Sequence, residues 1–453
     1  MYDVIVLGGG PGGYAAAIRA AQLKGKVALI EASELGGTCV NRGCIPSKVW
    51  SRAAYLKYWI EHAEEFGLKT ALQGWDLNTI IQRKNGVGQD IRAGMGALVK
   101  KNGIDLVNGR GIFKSSREIS VEGKSFEAKK IIIATGSSPA IPPIPGLADV
   151  ALTADQVFDL AELPASVVIA GGGPIEVETA AVLAAFGTKT TLAVAERRIL
   201  PQEDNGTSQR LTQALKDQGI EIIRGVKLEK ITGLEDGISA KLGEKEVKAA
   251  RIVVGGRKSN TQGMGMEVLG LKLDGDGFIE VNEKLETSVP GVYAIGDVTG
   301  GWMLSHAAST MGVIAAENIM GGAAVFRSHL VPRGLWTNPE MAAVGISEEE
   351  AGKQGIEINV GYFPYAVNGL GMLRGQVEGA VKIISEAKYG QILGVHIVGA
   401  GATELIGEAV MALQLECTVD ELAHSIRMHP TFSECLMDGA RDADSWALYL
   451  PPR

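Results

Sequence analysis

Short apolar runs followed by glycine-rich turns divide the first part of the chain into alternating strands and helices. The apolar run Tyr2–Leu7 leads into such a turn and then into an alanine-rich stretch that ends near Gly25. A second apolar run, residues 26–31, closes on the acid Glu31. Continuous apolar runs of this length predict strands that are buried on both faces of a parallel sheet. The order strand, turn, helix and strand therefore predicts a βαβ unit.

The first turn carries a dinucleotide-binding fingerprint. Gly8, Gly10 and Gly13 have the spacing GxGxxG between a predicted strand and a predicted helix. Gly10 allows the backbone to approach a pyrophosphate at the helix N-terminus, and Gly13 allows the helix to pack closely on the strand. Glu31 is positioned to accept hydrogen bonds from ribose hydroxyls. We expect this unit to bind a dinucleotide.

The same pattern returns later in the chain and departs from the first copy at two points. Gly171 and Gly173 follow an apolar strand and precede a second helix and strand. Two such units imply two nucleotides, a flavin and a nicotinamide. Glu176 replaces the third glycine, and Val194 stands where the first copy has its ribose acid. A carboxylate beside the pyrophosphate and an apolar side chain beside the ribose should both weaken NAD binding.

The choice between NAD and NADP stays open at this point. Arg197 and Arg198 lie just beyond Val194. This pair can hold the 2′-phosphate of NADP, or it can be a solvated basic pair after a strand.

The rest of the chain supplies a connector, a further strand and a separate C-terminal region. A strand ends at Thr135 and Gly136, and four closely spaced prolines follow, a composition typical of an interdomain connector. The apolar run 292–295 ends on Asp297 before another predicted helix. From about His329 the pattern changes to β-rich pieces and two helices without a nucleotide fingerprint, which predicts a separate domain.

Two cysteines directly downstream of the first fingerprint indicate redox chemistry. Cys39 and Cys44 have four residues between them, and Cys417 and Cys435 are the other cysteines of the chain. Four cysteines in 453 residues are too few for a secreted disulfide scaffold. The close pair is therefore expected to cycle between thiol and disulfide beside a flavin, and the distant pair is expected to be buried and inert.

Composition narrows the partners and the location. The net charge is −8, and the lysines and arginines are scattered, so no footprint for nucleic acid or an anionic membrane is present. The chain opens directly on a strand pattern, and no apolar stretch reaches membrane-spanning length. We expect a cytoplasmic protein with no membrane contact. No Cys or His cluster has zinc spacing, so no metal is expected.

These motifs resemble the pyridine nucleotide-disulfide oxidoreductases over essentially the whole chain. The stretch Ile45-Pro46-Ser47-Lys48 is more similar to the lipoamide branch of that family than to the glutathione branch. The segments that carry the resemblance are residues 36–48 around the cysteine pair, Ala134-Thr135-Gly136, Gly256-Arg257, Ala294-Ile295-Gly296-Asp297 and His429-Pro430-Thr431-Phe432-Ser433-Glu434.

The resemblance implies a fold and an assembly. The expected fold class is α/β, with two Rossmann-like domains for FAD and NAD and an α+β C-terminal dimerisation domain. The implied order is an FAD domain over residues 1–140, a nicotinamide domain over 141–261, a central domain returning to FAD over 262–328, and an interface domain over 329–453. An obligate homodimer is implied.

The resemblance also implies a reaction. A dihydrolipoyl group on a carrier protein would be oxidised to lipoamide through a Cys39–Cys44 disulfide, and the electrons would pass through FAD to NAD⁺. Cys39 would be the sulfur that substrate attacks, and Cys44 the sulfur beside the flavin. His429 would act as the base, oriented by Glu434, in the active site of the other subunit. The carrier would belong to a 2-oxo-acid or glycine-cleavage complex.

Further residues are assigned to the cofactors. Lys48 follows Cys44 by about one helical turn, so its ammonium can lie near the flavin, and the resemblance makes Glu178 its ion-pair partner. The residues expected around FAD are Gly8, Gly10, Gly13, Glu31, Gly37, Thr38, Lys48, Gly111, Thr135, Gly136 and Asp297. Those expected on the nicotinamide side are Gly171, Gly173, Glu178 and Gly256.

Departures from the family pattern leave alternatives open. Arg427 stands where the family usually has another histidine, and Met311 occupies a position that is often acidic. Together with Glu176 and Val194, they motivate the hypothesis of a lipoamide-branch enzyme with a shifted carrier or a non-nicotinamide electron partner.

Two rival functions remain. One is an NADPH-dependent disulfide or mercuric reductase, although the C-terminal tail lacks the extra cysteines that such a mercury or thioredoxin reductase would use. The other is a non-enzymatic flavin redox sensor, which has no evident need for the pair His429 and Glu434.

Overall fold

The first βαβ unit builds the N-terminal sheet in the computed structural model, which describes residues 1–451. Its elements are β1 (Tyr2–Leu7), α1 (Pro11–Gln22), β2 (Val27–Glu31), α2 (Gly37–Asn41), α3 (Cys44–Glu61), α4 (Leu77–Lys101), β3 (Asp105–Asn108), β4 (Gly111–Ser115), β5 (Glu118–Val121) and β6 (Lys124–Ile133). The strand order is β3-β2-β1-β6-β5-β4, and β1 pairs in parallel with both β2 and β6. The continuous apolar run of β1 is thus explained by its central place in the sheet.

Both faces of this sheet are covered. Val4 and Val6 of β1 pack against the alanines of α1 on one face. Ile5 and Leu7 point to the other face, against apolar side chains that include Phe113. Successive strand residues point to opposite faces, so a strand without polar positions needs a layer on each side.

A second unit of the same kind follows. Its elements are β7 (Ser137–Pro139), β8 (Ala151–Thr153), α5 (Ala154–Val157), β9 (Ser166–Ala170), α6 (Pro174–Ala185), β10 (Lys189–Val194), α7 (Asn205–Asp217), β11 (Glu221–Arg224), β12 (Leu228–Leu234), β13 (Gly237–Leu242), β14 (Lys245–Ala249), β15 (Arg251–Val254) and β16 (Arg257–Ser259). The parallel sheet has the order β11-β10-β9-β15-β8. An antiparallel sheet β12-β13-β14 covers one face of it.

The chain then returns to the first sheet. Strand β17 (Val292–Ala294) pairs in parallel with β6. Helix α8 (Ser305–Ile319) follows and packs along α1. This packing is close, because a methyl group on Gly312 would lie 2.2 Å from the carbonyl oxygen of Gly12. The structure thereby brings the start of α8 to the same edge of the sheet as the first dinucleotide turn.

The C-terminal region forms an antiparallel sheet with helices on it. Its elements are β18 (Arg333–Leu335), β19 (Met341–Gly345), α9 (Glu348–Gln354), β20 (Ile358–Pro364), α10 (Gly369–Arg374), β21 (Ala380–Glu386), β22 (Ile392–Val398), α11 (Ala402–Gln414), α12 (Val419–His424) and α13 (Glu434–Ala443). The strand order is β18-β19-β22-β21-β20. Helices α11 to α13 share a core with this sheet. The predicted fold class, two Rossmann-like units followed by an α+β region, is confirmed.

Short 3₁₀ turns complete the secondary structure of the described residues. They are Ala63–Phe66, Met266–Leu269, Gly296–Thr299, Ser328–Leu330 and Tyr365–Val367.

The contact between α1 and α8 predicts a destabilising substitution. Gly312→Ala would force the two helices apart, because the new methyl would also lie 3.0 Å from the backbone nitrogen of Ala16. Overpacking of this kind costs about 1–3 kcal/mol, so we expect a lower midpoint of thermal denaturation. Gly94→Ala in α4 is the matched control, since, apart from its chain neighbours and the nearby backbone of α4, no heavy atom of residues 1–451 lies within 4 Å of the added methyl. Equal midpoints for the two variants would contradict the close packing.

Candidate active site

The cysteine pair flanks a tight bend between two helices. Cys39 lies in α2, and Cys44 is the first residue of α3. The carbonyl oxygen of Thr38 accepts the backbone N–H of Arg42 at 2.8 Å and that of Gly43 at 2.7 Å, which closes the bend. Both cysteines are partly exposed free thiols, so the structure describes the reduced pair.

The surroundings of Cys44 favour its thiolate. The Cys39 thiol donates to Cys44, the hydroxyl oxygen of Ser305 lies 3.2 Å from the Cys44 sulfur, and the Lys48 ammonium adds a favourable charge interaction. These interactions outweigh burial and lower the pKa of Cys44 to about 6. The contact with Cys44, followed by burial, raises the pKa of Cys39 above its ordinary value. Cys44 is therefore the thiolate of the pair near neutral pH.

Lys48 connects the cysteine helix to the second unit. Its ammonium nitrogen lies 2.8 and 3.0 Å from the two carboxylate oxygens of Glu178 on α6. The ring of Trp336 lies under the same ammonium, 4.2 Å from its centroid, and the backbone N–H of Trp336 donates to Glu178 at 2.7 Å. The pairing of Lys48 with Glu178 that the sequence suggested is thus present in the structure.

One large cavity joins the cysteine pair to the first dinucleotide turn. Its volume is about 1510 Å³, which is more than a typical drug-sized ligand site offers and suits a dinucleotide. The predicted residues that line it are Gly8, Gly10, Gly13, Glu31, Gly37, Thr38, Cys39, Cys44, Lys48, Gly111, Thr135, Gly136, Glu178 and Asp297. Gly171, Gly173, Gly256, His429 and Glu434 are not among its lining residues.

The backbone around this cavity fits the diphosphate of FAD. A methyl group on Gly13 would lie 1.9 Å from the carbonyl oxygen of Gly8, so the first turn of α1 packs directly against the end of β1. A methyl on Gly37 would lie 2.9 Å from the Cα of Gly10, so no side chain separates these two backbones. The N-terminus of α1, which favours an anion, is therefore open to the cavity. Glu31 accepts the N–H of Gly9 at 2.6 Å and lines the cavity at its ribose end.

Polar groups converge at the far wall of the cavity. Asp297 accepts a hydrogen bond from the Ser137 hydroxyl at 2.6 Å, and Ser137 in turn accepts from Arg257 at 2.7 Å. Arg257 also pairs with Asp155 at 3.1 Å. Thr135 donates to the carbonyl oxygen of Asn260 at 2.8 Å. These bonds fix the strand ends that form this wall of the cavity.

The second dinucleotide turn does not fit a diphosphate in the same way. Gly171 and Gly173 adopt the expected turn, but the Glu176 side chain lies against them. A methyl group on Gly173 would lie 2.8 Å from a carboxylate oxygen of Glu176. Gly256 contacts Ala140 instead, and its carbonyl oxygen accepts the N–H of Ala140 at 2.7 Å.

His429 and Glu434 form a pair on the surface of the C-terminal region. The Nδ1 atom of His429 lies 2.9 Å from a carboxylate oxygen of Glu434, and the histidine side chain is 77% exposed. The other oxygen of Glu434 accepts the backbone N–H of Thr431 at 2.8 Å, which holds the carboxylate in place. The pair can orient an imidazole for proton transfer, although it does not line the cavity of its own chain.

The remaining residues singled out in the sequence have structural contacts. Arg427 pairs with Glu408, and Met311 of α8 is buried in the core that α8 shares with α1. Cys435 is fully buried, which raises its pKa above the ordinary value. Cys417 is partly exposed.

Among residues 1–451, no group of His, Cys, Asp and Glu side chains is arranged to hold a metal ion. No helix in this range has the length and apolar character needed to cross a membrane.

The sequence missed two contacts of the cysteine pair and its lysine. Ser305 lies 261 residues beyond Cys44 in the chain, and no local pattern marks it. Trp336 precedes β19 without any motif around it. Both become visible only when β17 and β18 have been placed in their sheets.

The contact of Ser305 with Cys44 predicts a shift in thiol titration. Ser305→Ala removes a donor to the thiolate, so the pKa of Cys44 should rise and less thiolate should remain at pH 7. The measurement is the rate of iodoacetamide labelling of Cys44 against pH, read by peptide mass spectrometry of the reduced protein. Ser309→Ala is the control, because Ser309 lies on the same helix as Ser305 and its hydroxyl donates to the carbonyl oxygen of Pro11 instead. Identical midpoints in both variants would contradict the assignment.

Comparison with known proteins identifies the family. Residues 2–312 match the pyridine nucleotide-disulphide oxidoreductase family, and residues 331–440 match its dimerisation domain. Proteins named dihydrolipoyl dehydrogenase from Thermus scotoductus and Bacillus subtilis are each 39% identical to this chain, and each comparison covers 99% of both proteins.

Solved structures agree with this result. LpdA from Mycobacterium tuberculosis has a TM-score of 0.90 at 26% identity, covering 97% of this chain and 98% of that one. The HOCl-induced flavoprotein disulfide reductase RclA from Escherichia coli has a TM-score of 0.86 at 29% identity, covering 96% and 99%. The predictions of FAD and NAD(H) are confirmed for the family and its dihydrolipoyl dehydrogenase members. This chain belongs to the pyridine nucleotide-disulphide oxidoreductase family.

Proposed function

We propose that this chain oxidises dihydrolipoyl groups on carrier proteins through a Cys39–Cys44 disulfide, with FAD in the large cavity. The observation that carries the proposal is the Cys44 thiolate site, in which Cys39, Ser305 and Lys48 all favour a negative sulfur inside the dinucleotide cavity. The full-length relatives named dihydrolipoyl dehydrogenase support the substrate class.

The first step is thiol–disulfide exchange at Cys39. One substrate thiol gives its proton to His429, and the resulting thiolate attacks the Cys39 sulfur. A bond forms between substrate and Cys39, the Cys39–Cys44 bond breaks, and Cys44 leaves as a thiolate. The low pKa of Cys44 makes it the better leaving group of the two cysteines.

The second step releases the product. The other substrate thiol attacks the sulfur already joined to Cys39 and passes its proton to the departing Cys39, so the substrate closes into a cyclic disulfide and Cys39 leaves as a thiol. The cysteine pair then holds the electron pair that the substrate has lost. FAD, when bound, supplies a two-electron acceptor for the reduced cysteines.

Lys48 has a positioning role in this scheme. Glu178 and the Trp336 ring hold its ammonium next to the cysteine helix, so it stabilises negative charge on Cys44 and would do the same for a reduced flavin bound in the cavity. An unpaired lysine would be free to turn towards solvent, and the ion pair with Glu178 prevents this.

The base comes from the second subunit of a homodimer in this proposal. The match to a dimerisation domain supports the dimer, and the exposure of His429 leaves its ring free to reach a neighbouring chain. Glu434 fixes the ring and stabilises the imidazolium after proton transfer.

The carrier and the location complete the proposal. The carrier is a lipoyl protein of a 2-oxo-acid or glycine-cleavage complex, since such carriers present a dithiol on a flexible arm. A cytoplasmic location fits a cysteine pair that must be reduced and reoxidised in every cycle.

A disulfide reductase working in the opposite direction is the second candidate. The similarity to the disulfide reductase RclA, at 29% identity over nearly the whole chain, favours it. Anaerobic mixing with excess dihydrolipoamide separates the two functions, because rapid reduction of the cysteine pair and then of the flavin supports dithiol oxidation, and a cysteine pair and flavin that both stay oxidised support the reductase.

Substitution of His429 tests the proposed function. His429→Gln should slow anaerobic flavin reduction by dihydrolipoamide by about 10²- to 10⁴-fold, because the substrate thiol loses its base. The reaction is followed by stopped-flow absorbance and needs no nicotinamide. His424→Gln is the matched control, since this neighbouring histidine is also exposed and contacts Asp420 instead. An unchanged rate in His429→Gln would contradict the proposed role.

A further inference from the structure

The two dinucleotide turns share the same backbone geometry. Gly8 donates its N–H to Ile30 at 2.8 Å, and Gly171 donates to Ala193 at 2.9 Å in the equivalent bond. Each helix is preceded by a glycine in extended conformation and begins with a proline. Any difference in anion binding between the two turns must therefore come from side chains.

The third position of the fingerprint differs, and a neighbouring position compensates. In the first turn Gly13 lies beside Ala134, whereas in the second Glu176 lies beside Gly255. A methyl group on Gly255 would lie 2.4 Å from a carboxylate oxygen of Glu176. The second unit thus has Glu176 where the first has Gly13, and it has Gly255 where the first has Ala134. Gly255 provides the space that the Glu176 side chain occupies.

The Glu176 carboxylate takes the place of a bound anion. Its oxygens lie close to Gly171, Gly173 and Gly255, within 2.9 Å of the position of a methyl group on each of them. Burial raises the pKa of the Glu176 carboxyl and the nearby charge of Glu196 adds to the rise, whereas backbone N–H groups, those of Gly255 and Gly173 included, donate to the carboxylate and oppose it. In dinucleotide-binding folds, the backbone amides at this helix N-terminus receive the pyrophosphate.

The ribose end of the second turn is also altered. Val194 is fully buried, and a methyl on Gly172 would lie 2.7 Å from its side chain. It offers no acceptor to ribose hydroxyls, whereas Glu31 lines the cavity at the same position of the first unit. Arg198 is held by Glu349 at 3.1 Å, so it is not poised for a 2′-phosphate.

One face of α6 lines the flavin cavity and remains open. Pro174, Ile175 and Thr179 line that cavity beside Lys48 and Glu178. An electron acceptor therefore has access to this face of the helix, while the side chain of Glu176 fills the phosphate position.

We infer that Glu176 is a specificity residue that excludes the diphosphate of nicotinamide dinucleotides. The affinity of this enzyme for NAD(H) is therefore low compared with that of a family member with glycine at this position. The inference rests on the proposed function and concerns only the step that passes electrons to an acceptor. Glu176, in the space that Gly255 provides, weakens the binding of NAD(H). The oxidation of the dithiol does not depend on either residue.

Two substitutions of Glu176 test this inference in the flavin-loaded enzyme. Glu176→Ala removes the carboxylate and keeps a good helix former, so the KM for NAD⁺ with dihydrolipoamide as donor should fall by about tenfold or more. Glu176→Gln keeps the size of the side chain and removes the charge, so KM should fall by less. The value of kcat should change little in either variant, because the change acts on binding. Anaerobic flavin reduction by NADH at increasing concentrations gives the affinity independently.

Controls make each outcome decisive. Glu196→Gln removes the exposed neighbouring charge and should leave the KM for NAD⁺ within about twofold, because a charge in water acts weakly. Tight NADH binding by the unmodified enzyme, or an unchanged KM in Glu176→Ala and in Glu176→Gln, overturns the inference. If Glu176→Ala fails to bind flavin, the Gln variant and the unmodified enzyme still decide the question. Flavin reduction by dihydrolipoamide reports separately on the proposed function.

Discussion

A backbone contact between two glycine pairs, one in the cysteine segment and one in the dinucleotide turn, determines where the redox chemistry can occur. Gly36 donates its N–H to the carbonyl oxygen of Gly9 at 2.9 Å, and Gly37 and Gly10 approach so closely that a side chain on Gly37 would separate them. Gly36 and Gly37 belong to the cysteine segment, and Gly9 and Gly10 belong to the dinucleotide turn. Since α2 begins at this contact and α3 follows it after two residues, the sulfur atoms are held against the cavity that the turn opens into. The thiolate site, the lysine and the flavin pocket all depend on this arrangement.

Charges at the cavity connect the separate units of the chain. Lys48 and Glu178 join the cysteine helix to the second unit, and Arg257 joins the second unit to the polar wall near Asp297. These pairs are partly shielded from water, so they interact more strongly than surface pairs do. The second unit therefore contributes to the electrostatics of the first cavity, even though its own dinucleotide turn is filled by Glu176.

The sequence predicted what depends on local pattern and on motif. The βαβ units, the cysteine pair and the presence of a carboxylate in the first turn of α6 follow from neighbouring residues. The place of that carboxylate did not, because Gly255 meets Glu176 only once β15 lies beside β9. Ser305 was missed for the same physical reason, since β17 must first return to the opening sheet. Such contacts can be predicted only when the order of the strands in the sheet is known. No single segment of the sequence determines that order.

The central claim is that the disulfide and the flavin exchange electrons within one cavity. Anaerobic titration with dithionite, followed by flavin absorbance, counts the electron pairs that the protein takes up for each flavin. The account predicts two pairs for the unmodified protein, one for Cys44→Ser and two for the control Cys417→Ser. Uptake of one pair by the unmodified protein, or a purified protein without flavin colour, would contradict it.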